Sequence, residues 1–449
     1  MNKTHKTFPR RLDCLPLTFS VNEIVVTFWT CVSFYIMFAT GGNNEFWLFL
    51  PLVVGAIVLV LMTYKKRAVA KVDPMLSFGV FLLVFGILAS YLFNSQRYDP
   101  IYILGNLVSV ALLFVSLYTI TTKINLDFRK TLVFQCIFAT PLFPVVLATA
   151  TDHWGRLEPA ELQANYVSMM AMLCFIGACS VRSLPGVLAL SVLPLYTIVA
   201  MQSRDSLLAA VVAVLIIGGY HLRRLGWQRL RPYAGVAFLA GPIVCIALYF
   251  LGFNVFAHVY NVFDSLFLLN DEHRGINSGG SGRTELWNAA LNLWLSHPFF
   301  GVGFKGHPYM MPDMMYAHSA YLGMLADVGL VGSAGYMIIV GVALYRTVKR
   351  GALGLTEYPQ RMAILISYLI YGLLESRAFS FGNSYSLLFL LVAFDSSKVR
   401  LGHAPALELP QVKPPSVLPG PVAGSAVKAS LAASRNGSHG ARRAANFDK

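Results

Sequence analysis

Basic and imidazole side chains gather in the one long polar interval of an otherwise apolar chain, which runs from Asn254 to about Met315. Arg274 and Arg283 lie within it, and His318 opens the apolar run that follows. A guanidinium binds phosphate oxygens through paired hydrogen bonds, and an imidazole exchanges a proton near neutral pH. These residue types therefore predict a site that binds a phosphorylated group and takes a proton from a hydroxyl.

Arg283 stands at the start of a predicted surface helix over residues 284–296, in which Leu286, Ala289 and Leu293 recur at helical spacing. Free backbone N–H groups and the dipole at a helix start already favour an anion. A merely solvated position at a helix start is the alternative. The small residues just before Arg283 make that alternative the weaker one.

Two further arginines lie in connections that hold few other basic residues. Arg204 is in a very short connection between apolar runs, where the alternative is an interface anchor paired with Asp205. Function is favoured for Arg204 because basic residues are rare on that side of the chain. Arg274 follows Asp271 and Glu272, which could simply pair with it, and both interpretations stay open.

The helix that starts at His318 must place this imidazole where it stays hydrated and neutral. Tyr321 shares its helical face, whereas Asp327 falls on the opposite face and is not expected to orient it directly. An acid within an apolar run is costly and should face a partner inside the bundle. A structural role is therefore expected for Asp327, and a second-rank place in the site for Tyr321.

Glu375 and Arg377, at the end of a later apolar run, form either a local ion pair or a second-rank part of the site. His297 and His307 flank a turn that glycines make possible. The spacing of these histidines matches no dense metal-ligand motif. We expect structural histidines and no metal ion.

The elements that position these residues are membrane helices, as the composition requires. Hydrophobic residues make up 56% of the 449 residues and charged residues 12%, whereas about 25% charged residues is usual in soluble domains. Apolar runs of about 20 residues, each long enough to cross a bilayer as a helix, recur along the chain. About 12 spans are predicted, at residues 22–40, 45–63, 75–94, 101–122, 131–149, 165–181, 185–201, 205–221, 233–253, 317–345, 361–376 and 381–396.

Lysine and arginine lie mainly in alternate connections, on the side that also holds both termini. That side is predicted to be cytoplasmic, so the net charge of +14 reflects orientation rather than nucleic-acid binding. The polar interval then faces outward. The predicted organisation is transmembrane helices over 1–253, an outer loop with surface helices over 254–316, further transmembrane helices over 317–398, and a disordered cytoplasmic tail over 399–449.

Several motifs occur together in and after the polar interval. They are Ser281-Gly282-Arg283 with Trp287, then His297-Pro298-Phe299-Phe300-Gly301-Val302-Gly303, and then His318-Ser319-Ala320-Tyr321-Leu322 leading to Asp327-Val328-Gly329-Leu330-Val331-Gly332. With the earlier Ser203-Arg204, they resemble the signature region of the O-antigen ligase and polymerase superfamily. Many members have Asn and Glu where this chain has Ser319 and Asp327, which leaves the acceptor open.

The resemblance implies an all-α integral membrane protein of the class C glycosyltransferase type, in the bacterial inner membrane, with its active site in a large periplasmic loop. It implies transfer of a glycan from undecaprenyl pyrophosphate to an acceptor, which in ligases is the lipid A core oligosaccharide. Inversion at the anomeric carbon, without a metal or other cofactor, is expected. His318 would act as base or position the acceptor, and Arg204 and Arg283 would bind pyrophosphate, with Arg274 as a further candidate.

Alternatives stay open at this point. A polymerase or a protein O-oligosaccharyltransferase of the same superfamily would share these features, because the acceptor pocket is built by loops. A transporter of the lipid-linked glycan is an alternative of another class, and it should carry broken helices or polar groups near the midplane of several spans. The charged residues lie at one face instead, which favours an enzyme.

Overall fold

A computed structural model describes residues 19–39, 45–153, 156–159, 163–181, 183–225, 260, 264, 283–352, 357–379 and 381–400. The predicted span at 233–253 and the tail beyond residue 400 lie outside these described residues. So does the polar interval before Arg283, apart from Tyr260 and Asp264.

The described residues form mainly α-helices, numbered in chain order. They are α1 (Val21–Ala39), α2 (Glu45–Thr63), α3 (Pro74–Asn94), α4 (Pro100–Lys123), α5 (Phe128–Ala139), α6 (Leu142–Ala148), α7 (Ala164–Ala178), α8 (Leu184–Ala200), α9 (Arg204–Leu225), α10 (Arg283–Ser296), α11 (Ala320–Ala352), α12 (Tyr358–Leu374) and α13 (Ser384–Ser396). Short 3-10 turns occupy Ser95–Arg97, His307–Met310, Pro312–Met314 and Ser376–Phe379.

Five of the described helical segments are long and apolar enough to cross a membrane. They are Pro74–Arg97, Pro100–Lys123, Phe128–Ala148, Arg204–Arg223 and Ala320–Gly351. Shorter apolar helices accompany them. The described part of the chain is thus mostly helical and has the character of a multi-pass membrane protein, as predicted, while the count of about 12 spans stays a prediction.

Two of the spanning helices begin with the same local device. Asp73 and Asp99 each precede a proline, and each carboxylate accepts a hydrogen bond from a backbone N–H two residues on, at 2.8 and 2.7 Å. An aspartate cap satisfies an otherwise unpaired N–H, and proline fits the first helical position because it has no N–H to leave unpaired. The starts of α3 and α4 are therefore fixed by the sequence itself.

The centre of the bundle is formed by α7 and α13. All residues of α13 are buried, and so are all residues of α7 except Asn165. Phe389 of α13 stacks on Tyr368 of α12 with ring centroids 3.7 Å apart. These two helices are mostly apolar on every face because neighbouring helices cover them all round.

Two pairs of short antiparallel strands, which the sequence did not predict, connect helix ends. β1 (Ala70–Val72) pairs with β4 (Lys398–Arg400), and β2 (Ala150–His153) pairs with β3 (Arg156–Pro159). The β1–β4 pair joins segments that are both predicted to be cytoplasmic. Close to it, Arg361 contacts Asp395 at 2.6 Å.

Helices α3 and α11 pack against each other through glycines. A Cβ atom on Gly86 of α3 would lie 2.5 Å from the Cα atom of Gly332, and one on Gly335 of α11 would lie 2.4 Å from the backbone nitrogen of Leu83. Small residues let two membrane helices approach closely, so that dispersion contacts hold them together. This contact fixes α11 beside α3 and so sets the position of the loop that precedes α11.

Candidate active site

Helix α11 is interrupted at Gly329, where the sequence predicted one continuous helix over 317–345. Gly329 has φ 63° and ψ −166°, which is not helical. The backbone groups released there pair with the preceding loop. The carbonyls of Ala326 and Asp327 accept from the N–H groups of Val302 (2.9 Å) and Gly303 (3.0 Å), and the N–H groups of Leu330 and Val331 donate to the carbonyls of Pro298 (2.8 Å) and Phe299 (3.1 Å).

This exchange of backbone hydrogen bonds depends on glycine on both sides. Gly301 has φ 66°, and a Cβ atom there would lie 2.4 Å from the carbonyl carbon of Asp327. A Cβ atom on Gly329 would lie 2.3 Å from the carbonyl of Phe299. Positive φ is nearly free only for glycine, so the two glycine motifs are needed together. The turn predicted at Gly301 and Gly303 is present, with φ of 66° and 123°.

Side chains of α3 and α4 hold the same loop from its other side. Asn94 donates to the carbonyl of Gly301 at 3.1 Å. Tyrosine hydroxyls supply the remaining contacts: Tyr91 donates to the carbonyl of Phe304 (2.7 Å), Tyr98 to that of Val302 (2.8 Å) and Tyr102 to that of Lys305 (3.3 Å). The loop thus pairs with α11 through both N–H groups and carbonyls, and its other carbonyls pair with side chains of α3, of α4 and of the connection between them, so the loop is held between these elements.

Asp327 and His307 form a buried pair, in agreement with the structural roles predicted for both. His307 donates its backbone N–H to Asp327 Oδ1 at 2.8 Å, and its ring Nδ1 lies 2.9 Å from the same oxygen. Nε2 of the ring lies 3.5 Å from the backbone nitrogen of Ala317. The acid inside α11 is therefore satisfied by the loop, and the ring reaches the residue immediately before His318.

His318 itself lies just before α11 rather than within it, which corrects its prediction as the first residue of the helix. Its φ is 48°, and the helix begins at Ala320, with Gly323 N–H donating to the carbonyl of Ser319 at 2.9 Å. A left-handed backbone costs a non-glycine residue about 1–2 kcal/mol. His318 is half-buried.

Left-handed residues concentrate around the candidate site. Within the described ranges, the non-glycine residues with positive φ are Gln202, Lys305, Asp313, Met314 and His318. Four of them lie in the loop that leads into α11, and the fifth lies just before Arg204. Strained backbone persists where surrounding contacts enforce it, and it is common at functional sites.

Arg283 contacts Asp205 across the junction between α9 and α10. Arg283 Nη2 lies 3.3 Å from Asp205 Oδ2, and the side chains are 19% and 6% exposed. Arg283 is therefore not the solvated helix-start residue of the alternative interpretation. A guanidinium has five N–H donors, so this contact alone does not use up the hydrogen-bonding capacity of Arg283.

Arg204 and Glu375 lie within electrostatic range of Asp205. Glu375 is buried and accepts a hydrogen bond from the side-chain amide of Asn165 at 3.0 Å. Tyr371 donates to the backbone carbonyl of Asn165 at 3.2 Å. The starts of α7, α9 and α10 and the end of α12 thus meet in one charged cluster, defined as Asn165, Arg204, Asp205, Arg283 and Glu375.

Helix α10 also packs against the start of α11. Ala290, Met311 and Ala317 form a small apolar cluster of their own, with Leu286 and Leu322 packed against it. Ala290 lies about two turns along α10 from Arg283, and Ala317 precedes His318. The charged cluster and His318 are therefore attached to the same short helix.

The other predicted site residues have different outcomes. Tyr321 donates to the carbonyl of Leu369 at 2.9 Å and so links α11 to α12. Arg274 lies outside the described residues, and so does the side chain of Arg377, whose backbone is in a 3-10 turn.

Sequence reasoning missed the importance of Asp205, which it treated only as a local partner of Arg204. It also missed Asn165 and the tyrosines at the ends of α3 and α4. The available signal was their position: acidic, amide and tyrosine side chains stand at the ends of apolar runs that the predicted topology places on one side. A contact between residues so far apart in the chain cannot be deduced from spacing.

Comparison with known protein families identifies residues 189–337 as matching the family described as O-antigen ligase. The matched region begins in α8 and ends in α11, and it includes Arg204, Asp205, Arg283, the loop and His318. A comparison with curated proteins gives no match.

Proposed function

Because the chain belongs to the O-antigen ligase and polymerase superfamily, we propose that it transfers a glycan from undecaprenyl pyrophosphate to the lipid A core oligosaccharide. The reaction would take place at the periplasmic face of a bacterial inner membrane, with both termini in the cytoplasm. The superfamily implies a glycosyltransferase-type enzyme acting on lipid-linked glycans.

The contact between Arg283 and Asp205 carries this proposal. It joins the start of α10 to the start of α9, so that the two arginines predicted to bind pyrophosphate, Arg204 and Arg283, come into one cluster. Asp205 holds Arg283 through one nitrogen, which orients the guanidinium for an incoming phosphate. Glu375 and Asn165 support the cluster from the side of α12 and α7.

Bond breaking at the donor places negative charge on the leaving pyrophosphate. Fixed cations that meet this charge stabilise the transition state more than the ground state. We assign this role to Arg204 and Arg283, with Arg274 as a further candidate in the loop. Donor and acceptor glycans would be held so that the acceptor hydroxyl attacks the anomeric carbon on the face opposite to the pyrophosphate, which inverts the configuration.

His318 is assigned to the acceptor. As the oxygen–carbon bond forms and the bond from the anomeric carbon to the phosphate oxygen breaks, the hydroxyl proton passes to the imidazole and undecaprenyl pyrophosphate leaves. The contact of Ala317 with the His307–Asp327 pair fixes the chain just before His318, whose own backbone is left-handed. General base catalysis of this kind contributes about 10²–10⁴-fold.

The broken helix α11 calls for comparison with the transporter alternative. Transporters place discontinuous helices around a substrate cavity near the midplane. In this protein the backbone groups released at Gly329 pair with the loop itself, and the acid beside the break pairs with His307. The break therefore anchors a loop, which supports an enzyme with a fixed site.

Reconstitution in nanodiscs with a lipid-linked glycan and a lipid A core acceptor tests the proposal. A ligase gives glycan on lipid A core, a polymerase gives longer glycan on the lipid carrier, a protein oligosaccharyltransferase needs a protein acceptor, and a transporter gives no new bond. We expect the first product, and its loss in His318→Ala. Any other product, or full activity of His318→Ala, contradicts the assignment.

A further inference from the structure

A cavity of about 530 Å³ lies between the α3–α4 connection and the loop that precedes α11. Its volume is within the range of about 300–1,000 Å³ that is usual for small-molecule sites. The cavity is lined by Arg97, Tyr98, Asp99, Tyr102, Tyr309 and Met310. None of these side chains belongs to the charged cluster or to the predicted site.

Three tyrosine rings form its apolar wall. Tyr98 and Tyr102 are stacked with centroids 6.0 Å apart, and Tyr309 meets Tyr102 edge-on at 6.2 Å. The hydroxyls of Tyr98 and Tyr102 donate to loop carbonyls, which fixes both rings. Burial raises the pKa of Tyr98 to about 12, so its hydroxyl stays protonated and keeps donating.

One cation and one anion complete the lining. The Nη1 atom of Arg97 lies 3.4 Å from the sulfur atom of Met310. Asp99 caps α4 through Oδ1, and a carboxylate has further acceptor capacity on both oxygens. A single guanidinium beside a carboxylate offers an anion fewer donors than the two arginines that are assigned to pyrophosphate.

This combination matches the chemistry of a sugar. The C–H face of a pyranose packs against aromatic rings, its hydroxyls donate to a carboxylate, and its oxygens accept from a guanidinium. Aromatic side chains bring a large contact area that loses little conformational entropy on binding. A phosphate group or an alkyl chain would leave either the rings or the charged groups without a partner.

We propose that this cavity is a carbohydrate subsite, which holds an uncharged pyranose ring of one of the two glycan substrates. The identification of the ligand as a substrate rests on the proposed glycan transfer. Tyr309 and His318 belong to the same loop, and the chain between them can span at most about 30 Å. An oligosaccharide bound at the cavity can therefore extend toward His318.

Binding of free glycans to the full chain in nanodiscs tests the subsite without turnover. The probes are a de-acylated lipid A core oligosaccharide and a donor glycan released from its lipid. Tyr309→Ala and Arg97→Ala should raise the Kd for one probe about tenfold, whereas Tyr309→Phe should bind like the wild type because the ring is kept. Tyr118→Ala, an exposed tyrosine of the same helix α4 as Tyr102, is the matched control.

The probe that loses affinity identifies the source of the sugar, and in the transfer assay the KM for that same substrate should rise. Wild-type affinity of both Tyr309→Ala and Arg97→Ala for both probes, or no binding of either probe to the wild type, would overturn the subsite. Failure of the proposed function has a different result: the wild type would form no glycosidic bond while glycan binding still depended on Tyr309.

Discussion

The charged cluster and the tyrosine-lined cavity are built from different helix ends, and their side chains suit different ligands. The cluster joins four helix ends and holds two arginines beside two acidic residues, while the cavity belongs to one helix pair and a loop and combines three tyrosine rings with one arginine and one aspartate. Helix α11 and the loop bound at Gly329 contact α10 and α12 of the cluster and the tyrosines of the cavity, so they support both regions. The difference suggests a division of substrate recognition, in which the cluster takes pyrophosphate and the cavity takes sugar.

The largest expected effect comes from removing the support on which both regions depend. Gly329→Ala should destabilise the protein by about 4 kcal/mol or more, because a Cβ atom meets the Phe299 backbone and the left-handed strain is added. Thermal unfolding in detergent, followed by tryptophan fluorescence, would measure it.

Gly341→Ala is the matched control in the same helix, since a Cβ atom there meets nothing within 4 Å. It should leave the unfolding temperature unchanged or slightly higher, because alanine favours helix. Equal stability of the two variants would show that the loop does not depend on the break in α11.

His318→Ala comes next and should lower kcat about 10²–10⁴-fold without altering the stability of either region. His221→Ala is the control, because it changes an exposed histidine near the end of α9 that is opposite to Arg204. Single-turnover transfer with saturating donor and acceptor isolates the chemical step. A kcat close to that of the control would remove His318 from proton transfer.

Arg283→Ala and Asp205→Asn should each lower kcat/KM for the donor by about 10- to 100-fold, because both changes disturb the same guanidinium. If Asp205 acts only by orienting Arg283, the double variant should be no worse than Arg283→Ala alone. Additive losses in this double-mutant cycle would mean that Asp205 acts on the substrate independently.

Ionic strength should have a smaller effect, and one that differs between the two regions. Raising the ionic strength from about 0.05 M to about 0.5 M should increase the donor KM several-fold, since screening weakens attraction between arginines and pyrophosphate. The Kd of the sugar probe at the cavity should change less than about twofold, because the pyranose ring bound there is uncharged. The same salt response for both would argue against the division.

The smallest effect concerns the contact between the cavity wall and the loop. Tyr98→Phe removes a hydroxyl that donates to Val302 and should cost about 1 kcal/mol of stability. Hydrogen exchange of the backbone amides at Val302 and Gly303 would report it locally. Tyr309→Phe is the control, because the Tyr309 side chain is exposed, and the amide exchange of this variant should match the wild type.

Much of the architecture could be predicted from the sequence, because apolar runs indicate the membrane helices and capping residues indicate where these helices start and end. Asp73 and Asp99 before prolines mark two starts, and Pro298 follows the end of α10. The break at Gly329 could not be predicted, since the apolar run around it is long enough for one continuous helix. Its conformation is imposed by a loop about 30 residues earlier, whose own glycines make room for it.

The candidate site was predictable by residue type but not by partner. Arginine is rare on one side of the predicted topology, which singles out Arg204 and Arg283 through the positive-inside rule, and His318 is marked by its position at the start of an apolar run. The pairing of Arg283 with Asp205 and of Asp327 with His307 depends on how distant segments pack, which no local pattern contains. The cavity is likewise formed by two distant segments, one with Tyr98 and Tyr102 and the other with Tyr309. Its existence therefore could not be deduced from a local pattern either.

Undecaprenyl pyrophosphate without any sugar gives the most direct test of the central claim, because it can engage only the pyrophosphate site. We predict that its inhibition constant in the transfer assay rises at least about tenfold in Arg283→Ala and stays at the wild-type value in Tyr309→Ala. An unchanged inhibition constant in Arg283→Ala, or an equal rise in both variants, would contradict the assignment of pyrophosphate to the charged cluster.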